Sequence, residues 1–191
     1  MYILGDVGNS ETKIFLVSRK GKILKRIYFP SKDINKKNLD LKFNKIKKDL
    51  HNIQKILFCS VVPNTFNFIK RYLTKKIHIK CYEIKNLKLK SFIDIKVNYN
   101  QVGSDRLTNA ISLMNNKDNF VILDFGTATT FDVLIGNNYK GGIISPGIKL
   151  SLNSLSDKAS LIPKINLKKM SKIIGKDTKS AVRSGFFWGY A

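Results

Sequence analysis

The sequence predicts an α/β protein made of two halves that begin in the same way. Each half opens with an apolar strand that runs into an Asp-x-Gly-polar turn, at residues 6–9 and again at residues 124–127. A second strand follows each turn, which favours a repeated strand–turn–strand unit. Such a repeat predicts two domains of related fold. The polar stretch at residues 115–119 is the expected boundary, which gives domains of residues 1–116 and 117–191.

The first half is expected to form a mixed sheet flanked by helices. Apolar runs separated by glycine-containing turns predict an antiparallel meander with strands at residues 2–4, 13–17 and 23–29. The next predicted elements are a helix at residues 39–53, a strand at 56–60, a helix at 66–73 after Pro63, a strand at 77–84 and a helix at 104–114. The order of strands and helices fits a layered α/β domain. In the second half, strands are predicted at residues 120–123, 130–135 and 139–144.

The charge is the most unusual feature of the composition. The 191 residues include 35 Lys and Arg against 13 Asp and Glu, a net charge of +22. Such a charge on its own suggests a nucleic-acid partner. However, the basic residues are spread along the chain, mostly as Lys beside Asn and Ile, without Arg-rich blocks or interleaved aromatics. Nucleic-acid binding is therefore not expected, and the lysines are interpreted as a solvated surface.

Other compositional features exclude several classes of protein. No uninterrupted apolar stretch approaches the ~20 residues that cross a bilayer, and the first residues lack the apolar run of a signal peptide. We therefore expect no membrane association and a cytoplasmic location. Cys59 and Cys81 form no Cys-x-x-Cys pair, and His51 and His78 lack metal-ligand spacing. Reduced thiols, and no site for zinc, are the expected consequence.

Each Asp-x-Gly turn has the chemistry of a polyphosphate site. The glycine lets the backbone bend sharply and turn its N–H groups outward, which forms a concavity that binds anions. The Asp at the strand end supplies an oxygen for a divalent cation or for its bound waters. Two such turns facing each other are expected to hold a nucleotide polyphosphate from both sides. One turn alone is an ordinary β-turn sequence, so the interpretation depends on the two matching copies.

A series of motifs along the chain resembles the motifs of type III pantothenate kinases. DVGNSETK at residues 6–13 resembles the first phosphate motif of that family, and DFGTAT at residues 124–129 resembles the second. The further matches are SVVP at 60–63, GSDR at 103–106, GGIISPG at 141–147, ASLIP at 159–163 and GKDT at 175–178. The resemblance implies two ribonuclease-H-like domains of the actin/Hsp70/sugar-kinase superfamily. It also implies ATP-dependent phosphorylation of pantothenate to 4'-phosphopantothenate, the first step of coenzyme A biosynthesis.

The resemblance assigns the acceptor side of the site to the GSDR motif. Asp105 is implied as the catalytic base that activates the pantothenate hydroxyl, although an acid at a helix start also serves as a cap. Arg106 carries a planar fork of donors that can grip a carboxylate, which suits an acid substrate; a surface ion pair is the alternative.

Four further residues are implied as substrate contacts. The backbone at Gly103 and Ser104 and the hydroxyl of Thr178 are expected to complete the pantothenate pocket. Tyr99 is a further candidate contact, although the segment before Gly103 is shorter here than in the family and lacks its Asn-Pro pair.

The nucleotide side is assigned to the two turns. The expected ATP-binding residues are Asp6, Val7, Gly8, Asn9, Ser10, Glu11, Thr12 and Lys13, together with Thr127 of the second turn. The lysine can neutralise phosphate charge or lie as a solvated surface residue. By resemblance, Asp6 lies nearest a Mg²⁺ ion and Asp124 helps to bind a monovalent cation, K⁺ or NH₄⁺. A hard cation held by oxygen ligands is chemically reasonable there.

The resemblance also bears on assembly and on the end of the chain. A homodimer is implied, with the acceptor site against the partner subunit. Members of the family usually continue for some tens of residues beyond GFFWGY at 185–190, so the second domain is expected to be incomplete. Three alternatives stay open at this point. One is a catalytically impaired, truncated relative that acts as an interaction or transcription-accessory protein, and another is a nucleic-acid-binding protein. The third is another kinase of the superfamily with a different acceptor, since the fold does not determine the substrate.

Overall fold

The structure, a computed structural model, describes residues 1–190 and contains two β-sheets and five α-helices within that range. The elements are, in chain order, β1 (Tyr2–Val7), β2 (Glu11–Val17), β3 (Ile23–Pro30), α1 (Lys36–Asn44), β4 (Lys55–Ser60), α2 (Pro63–Ile77), β5 (Cys81–Glu83), β6 (Asp94–Ile95), α3 (Ser104–Leu113), β7 (Asn119–Phe125), β8 (Ala128–Ile135), β9 (Asn138–Pro146), α4 (Ile148–Lys158) and α5 (Thr178–Gly189). None of these helices is long and apolar enough to cross a bilayer.

The first sheet has five strands in the order β3-β2-β1-β4-β5. The strands β1, β2 and β3 form the predicted antiparallel meander, and β4 and β5 run parallel to β1. The predicted α/β class and its mixed first sheet are therefore confirmed. Because β1 and β4 are parallel neighbours, their carboxyl ends lie side by side, where residue 7 is paired with residue 60.

Helices α1 and α2 pack on one face of this sheet and form its core. The helical residues Leu39 and Phe43 of α1 are fully buried, as are Ile69 and Leu73 of α2. They join the inward side chains of β1, β2 and β4 in one apolar cluster. Pro63 stands at the start of α2, where its missing N–H leaves no donor unpaired. The burial of these apolar faces is the main driving force for the domain.

Two predicted elements differ in the structure. The helix expected at residues 39–53 ends at Asn44, and a 3-10 helix at Lys47–Asn52 follows it. The strand expected at residues 77–84 is short, because α2 continues to Ile77 and β5 covers only Cys81–Glu83. In both places the apolar pattern coincides with buried side chains, but the backbone changes conformation within the pattern.

The second sheet has four strands in the order β6-β9-β8-β7. The chain divides into two compact units, and β7, β8 and β9 each pass from one unit to the other. Unit 1 comprises Met1–Phe120 and Asp132–Gly141; unit 2 comprises Val121–Phe131 and residues 142–190. The segment Asp132–Gly141 therefore packs with the first part of the chain.

One glycine in β1 is required by the packing of the core. A Cβ atom at Gly5 would lie 1.9 Å from the Phe58 ring, and that ring is itself buried in the core. Gly5 and Phe58 are paired across β1 and β4, and the Phe58 ring fills the space that a side chain at residue 5 would occupy.

We expect Gly5→Ala to lower the free energy of unfolding by about 1–3 kcal/mol, because an overpacked core must shift a buried ring. Urea unfolding followed by circular dichroism measures this change. The control is Gly185→Ala in α5, where a Cβ atom meets open space. That substitution should be neutral or stabilise the helix by up to about 1 kcal/mol. A Gly5→Ala protein as stable as the wild type would contradict the packing argument.

Candidate functional site

The first phosphate-type turn is fixed by hydrogen bonds from Ser31. The Ser31 N–H donates to the Ser10 carbonyl at 3.0 Å, and its hydroxyl donates to the Gly8 carbonyl at 2.6 Å. Since that hydroxyl has only one proton, the buried Thr12 hydroxyl is the donor in the 2.9 Å bond between Thr12 and Ser31. The Gly8 N–H closes the turn on the Glu11 carbonyl at 3.1 Å. The turn is thus held in one shape before any ligand arrives.

The predicted ATP-binding stretch divides into an inward and an outward set. The side chains of Val7 and Thr12 are fully buried and point into the domain, so they support the turn and do not reach a ligand. Asn9, Ser10 and Glu11 are exposed at the tip of the turn. Sequence reasoning treated the stretch as one clamp and did not identify Ser31, which follows β3 and holds the turn from beneath.

Asp6 and Lys13 are paired across β1 and β2, and Asp6 is paired with Cys59 across β1 and β4. Residues directly opposite each other on neighbouring strands project from the same face of the sheet. The Cys59 thiol donates to the Asp6 carboxylate at 3.5 Å. The Lys13 ammonium lies 3.9 Å from Glu11 in a solvent-exposed pair, which adds little stability.

Cys59 connects two of the predicted site acids. Burial raises the pKa of its thiol to about 12, and the negative charges of Asp6 and Asp105 act in the same direction. The thiol therefore stays protonated and serves as a neutral donor. Because both carboxylates influence this one thiol, the structure brings the metal-site candidate Asp6 and the candidate base Asp105 into the same region of unit 1.

Asp105 lies in the first turn of α3, and that turn is tied to the sheet. The buried Ser104 hydroxyl donates to the Ser60 carbonyl at 2.8 Å and accepts from the Ser60 N–H at 2.7 Å. The Val61 N–H in turn donates to the Val7 carbonyl at 3.0 Å. The start of α3 is therefore bonded to the carboxyl end of β4, and β4 to the end of β1.

The carboxylate of Asp105 is oriented by its own helix. Its Oδ1 atom accepts a hydrogen bond from the Arg106 N–H at 2.8 Å. A Cβ atom at residue 103 would lie 2.3 Å from the same oxygen, so the carboxylate has room only because Gly103 carries no side chain. The glycine in this motif is thus required by space, since its φ of −60° is open to any residue.

Arg106 forms a buried ion pair with Asp132, a partner that sequence reasoning did not identify. Its Nε donates to Oδ1 of Asp132 at 2.8 Å, and its Nη2 lies 2.5 Å from the same oxygen. The Tyr139 hydroxyl donates to that oxygen at 2.5 Å. The Asp132 side chain is 0% exposed and that of Arg106 is 12% exposed. The sequence alternative for Arg106 was a surface ion pair; the ion pair that it makes is instead buried.

The charges in this cluster reinforce each other. Desolvation acts to lower the pKa of Arg106, but the hydrogen bond and charge of Asp132 outweigh it, so the pKa is raised. Burial raises the pKa of Tyr139, and the bond to Asp132 adds to the shift. Arg106 therefore stays cationic and Tyr139 stays a neutral donor. Asp132 and Leu134 both point inward from β8. Their period-2 spacing was the sequence signal that Asp132 is a buried carboxylate.

Tyr99 is held by groups of unit 1. Its hydroxyl donates to the Lys85 carbonyl at 2.7 Å, and burial raises its pKa. The ammonium groups of Lys85 and Lys90 lie 5.1 and 5.8 Å from the ring centroid. The hydroxyl of this candidate substrate contact is thus already engaged with the backbone.

The second phosphate-type turn lies in unit 2. Asp124, Gly126 and Thr127 are exposed there, and the Gly126 N–H donates to the Ala128 carbonyl at 2.9 Å. The turn packs against the backbone of Gly147, whose N–H donates to the Thr127 carbonyl at 2.9 Å. A Cβ atom at Gly147 would lie 2.3 Å from the Gly126 carbonyl oxygen. Hydrogen bonds to the backbone therefore hold this turn, as the bonds from Ser31 hold the first.

Thr178 is the first residue of α5, also in unit 2, and its side chain is exposed. The preceding Asp177 caps the helix by accepting the Ser180 N–H at 3.0 Å, and this bond lowers the pKa of Asp177. Unit 2 also contains a cavity of about 430 Å³. Its lining residues are Phe125, Ile148, Leu167, Lys168, Lys169, Phe186, Phe187 and Tyr190.

The carboxylates of the described residues do not form a dedicated metal site of their own. Among residues 1–190, no group of three or more His, Cys, Asp or Glu side chains could hold a metal ion. Mg²⁺ in phosphoryl-transfer sites keeps several waters and takes one or two carboxylates beside substrate phosphates. A strand-end carboxylate such as Asp6 or Asp124 therefore fits a cation that shares its ligands with a nucleotide.

Comparison with known proteins agrees with this chemistry. The family model for type III pantothenate kinase matches residues 2–191. A type III pantothenate kinase of Pelagibacter ubique (strain HTCC1062) is 60% identical over 190 residues, which cover 100% of this chain and 77% of that protein. A second type III pantothenate kinase, from Sulfurihydrogenibium sp. (strain YO3AOP1), is 36% identical over 200 residues, which cover 100% of this chain and 78% of that protein.

The solved structures agree on the fold. The structure of a Baf family transcriptional activator from Campylobacter jejuni superimposes with a TM-score of 0.57 at 20% sequence identity. The match covers 98% of this chain and 75% of that one. At this identity the likeness concerns the fold alone. With a family model that matches almost every residue, this chain belongs to the type III pantothenate kinase family.

Proposed function

We propose that this chain transfers the γ-phosphoryl group of ATP to the hydroxyl of pantothenate, which gives 4'-phosphopantothenate for coenzyme A biosynthesis. The observation that carries the proposal is the position of Asp105. Its carboxylate stands in the first turn of α3, with room left by Gly103, and the turn is bonded through Ser104 and Ser60 to the strand ends beside the first phosphate-type turn. Membership of the kinase family supports the same reaction.

Asp105 acts as the general base. Its Oδ1 accepts the backbone N–H of Arg106, which fixes the orientation of the carboxylate in the first turn of α3. Phosphoryl transfer asks little covalent chemistry of the protein, because the main requirements are alignment and neutralisation of charge. A carboxylate that receives the hydroxyl proton as the bond to phosphorus forms adds to that alignment.

Arg106 recognises the carboxylate of the acceptor. Asp132 occupies one edge of the guanidinium, and the donors on the other edge remain for a second anion. Gly103, Ser104, Tyr99 and Thr178 are proposed as the other acceptor contacts. For Ser104 the contact is through the backbone, because its hydroxyl is bonded to Ser60 on both sides.

The two turns bind the phosphates of ATP. In unit 1 the exposed tip of the first turn, Asn9 to Glu11, would meet the phosphates, and Lys13 adds a positive charge from the neighbouring strand. In unit 2, Thr127 stands at the exposed tip of the second turn. Both turns are braced from behind, by Ser31 and by Gly147, so their shape does not depend on the nucleotide.

Two cations complete the proposal. Asp6 would hold Mg²⁺ through water or directly, and Asp124 would help to hold K⁺ or NH₄⁺; these ions would neutralise charge on the phosphate oxygens. Asp6 fits this role, since it projects beside Lys13 and its thiol neighbour Cys59 is neutral.

A homodimer and a cytoplasmic location are also proposed. The dimer is supported by exposed apolar side chains in unit 2, among them Ile143 at 66% and Ile144 at 61% exposed. The location is supported by the free thiols Cys59 and Cys81, which suit a reducing compartment. Light scattering at several protein concentrations tests the dimer, and a monomer throughout would contradict it.

The function is tested by incubating the purified protein with ATP, Mg²⁺, K⁺ and pantothenate and identifying 4'-phosphopantothenate by mass spectrometry. Replacing K⁺ with Na⁺ should lower the rate if Asp124 helps to hold the larger ion. ADP release that is independent of pantothenate, or no reaction at all, would count against the proposal.

Asp105→Asn should lower kcat by about 10²–10⁴-fold, because the amide keeps the shape but does not accept a proton. The affinity for ATP, measured by calorimetry, should be unchanged. The matched control is Asp94→Asn, which removes a carboxylate from an exposed pair with Lys96. Near-normal turnover by Asp105→Asn would show that the base has been wrongly assigned.

Arg106→Lys should raise the KM for pantothenate by about 10-fold or more while the KM for ATP stays within about 2-fold, since a point charge replaces a planar fork. Steady-state kinetics with each substrate varied in turn gives the two constants. If both KM values rise equally, Arg106 is not an acceptor contact.

A further inference from the structure

We propose that Asp132 and Tyr139 are positioning residues that fix the orientation of the Arg106 guanidinium for the acceptor's carboxylate. This inference rests on the proposed function, because it gives these side chains a part in binding the acid substrate. Neither residue belongs to the motifs that carry the family resemblance, and neither is adjacent to Arg106 in sequence. All three lie within unit 1, because Asp132–Gly141 packs there.

The geometry around Asp132 leaves the guanidinium few alternatives. Oδ1 of Asp132 meets Nε and Nη2 of Arg106, which together form one edge of the planar fork. The same oxygen accepts the Tyr139 hydroxyl at 2.5 Å. Tyr139 is fully buried in β9 and Asp132 is fully buried in β8, so the oxygen is held by two strands of the second sheet. A rigid oxygen on one edge fixes the plane of the whole guanidinium.

The donors left over are the ones that a ligand would use. An arginine side chain has five N–H donors, and the hydrogen bond to Asp132 uses the one on Nε. Nη2 is buried and, despite its ion contact, makes no well-aligned hydrogen bond. The edge formed by the two Nη atoms can therefore accept a planar carboxylate in two parallel hydrogen bonds. Fixing this edge in advance lowers the entropic cost of binding the acceptor.

Unit 1 contains a matched set of groups at another place. Tyr72 donates to Asp40 at 2.8 Å, and Lys76 donates to Asp40 at 2.9 Å and to Tyr72 at 2.8 Å. This Tyr–Asp–cation set joins α1 and α2, on the face of the first sheet that carries the apolar core. It offers control substitutions of identical chemistry in residues that contact no proposed site residue.

The first experiment compares Tyr139→Phe with Tyr72→Phe, and Asp132→Asn with Asp40→Asn. Tyr139→Phe should raise the KM for pantothenate by about 3–10-fold, as expected for the loss of one buried hydrogen bond to a charged group, with the KM for ATP unchanged. Asp132→Asn should raise it further. The control variants should leave both KM values unchanged. If Tyr139→Phe changes neither KM, or changes both equally, the inference is overturned.

A double substitution tests whether the effect passes through Arg106. In the Arg106→Lys background, Tyr139→Phe should have no further effect on the KM for pantothenate, because the fork that it positions has been removed. Two effects that simply multiply would mean that Tyr139 acts by another route, which overturns the inference. If Asp132→Asn does not fold, Tyr139→Phe and this double variant still decide the question.

A spectroscopic measurement separates the inference from the proposed function. The Nε–H signal of Arg106, assigned by its loss in Arg106→Lys, should exchange slowly with water in the wild type and faster in Tyr139→Phe. Tyr72→Phe should leave it unchanged. Fast exchange in the wild type would overturn the inference. If the Nε–H of Arg106 exchanges slowly but the protein does not phosphorylate pantothenate, the proposed function alone is refuted. If the protein is active but Tyr139→Phe leaves the KM for pantothenate unchanged, the inference alone is refuted.

Discussion

The acceptor side of the site depends on one buried hydroxyl. Ser104 bonds to both the N–H and the carbonyl of Ser60, and so fixes the first turn of α3 to the end of β4. Because β4 is bonded to β1 along its whole length, Asp105 and the first phosphate-type turn belong to one rigid body. Groups held on strands and helix starts keep their geometry better than groups on free loops. The pairing of β1 with β4, and the bonds from β4 to the start of α3, thus set the positions of the proposed site residues relative to each other.

The parts of the site that follow from local sequence were predictable. An Asp-x-Gly turn between two strands is set by a few neighbouring residues, and both copies form as exposed turns after a strand. The start of α3 at Ser104 was also predicted, because Gly103 and the polar residues after it are typical of a helix start. What local sequence does not contain is the reason for Gly103, which is a carboxylate oxygen 2.3 Å from the position of a Cβ atom.

The parts that were missed join residues far apart in the chain. Ser31 is 23 residues from Gly8, and Asp132 is 26 residues from Arg106. Such pairs depend on strand order and register, which periodicity alone does not determine. The helix predicted at residues 39–53 was too long because periodicity does not distinguish an α-helix from the 3-10 helix that follows it. Ile46, Leu50 and Ile53 keep the spacing of the α1 residues and are all buried, so the pattern continues through a 3-10 helix that has different hydrogen bonds.

The exposed lysines and the buried Arg106 have different roles, and this difference explains the importance of the Arg106–Asp132 pair. Most of the +22 charge is Lys, and several lysines lie over aromatic rings, such as Lys42 over Phe29 and Lys80 over Tyr82, where their stems cover apolar surface. Arg106 differs, since burial removes its water and the ion pair with Asp132 offsets part of that cost. A buried ion pair adds little net stability compared with an apolar pair of the same volume. Its use is therefore better sought in orientation: a guanidinium locked on one edge offers the other edge to a carboxylate in a single geometry, beside Asp105, the base that we propose.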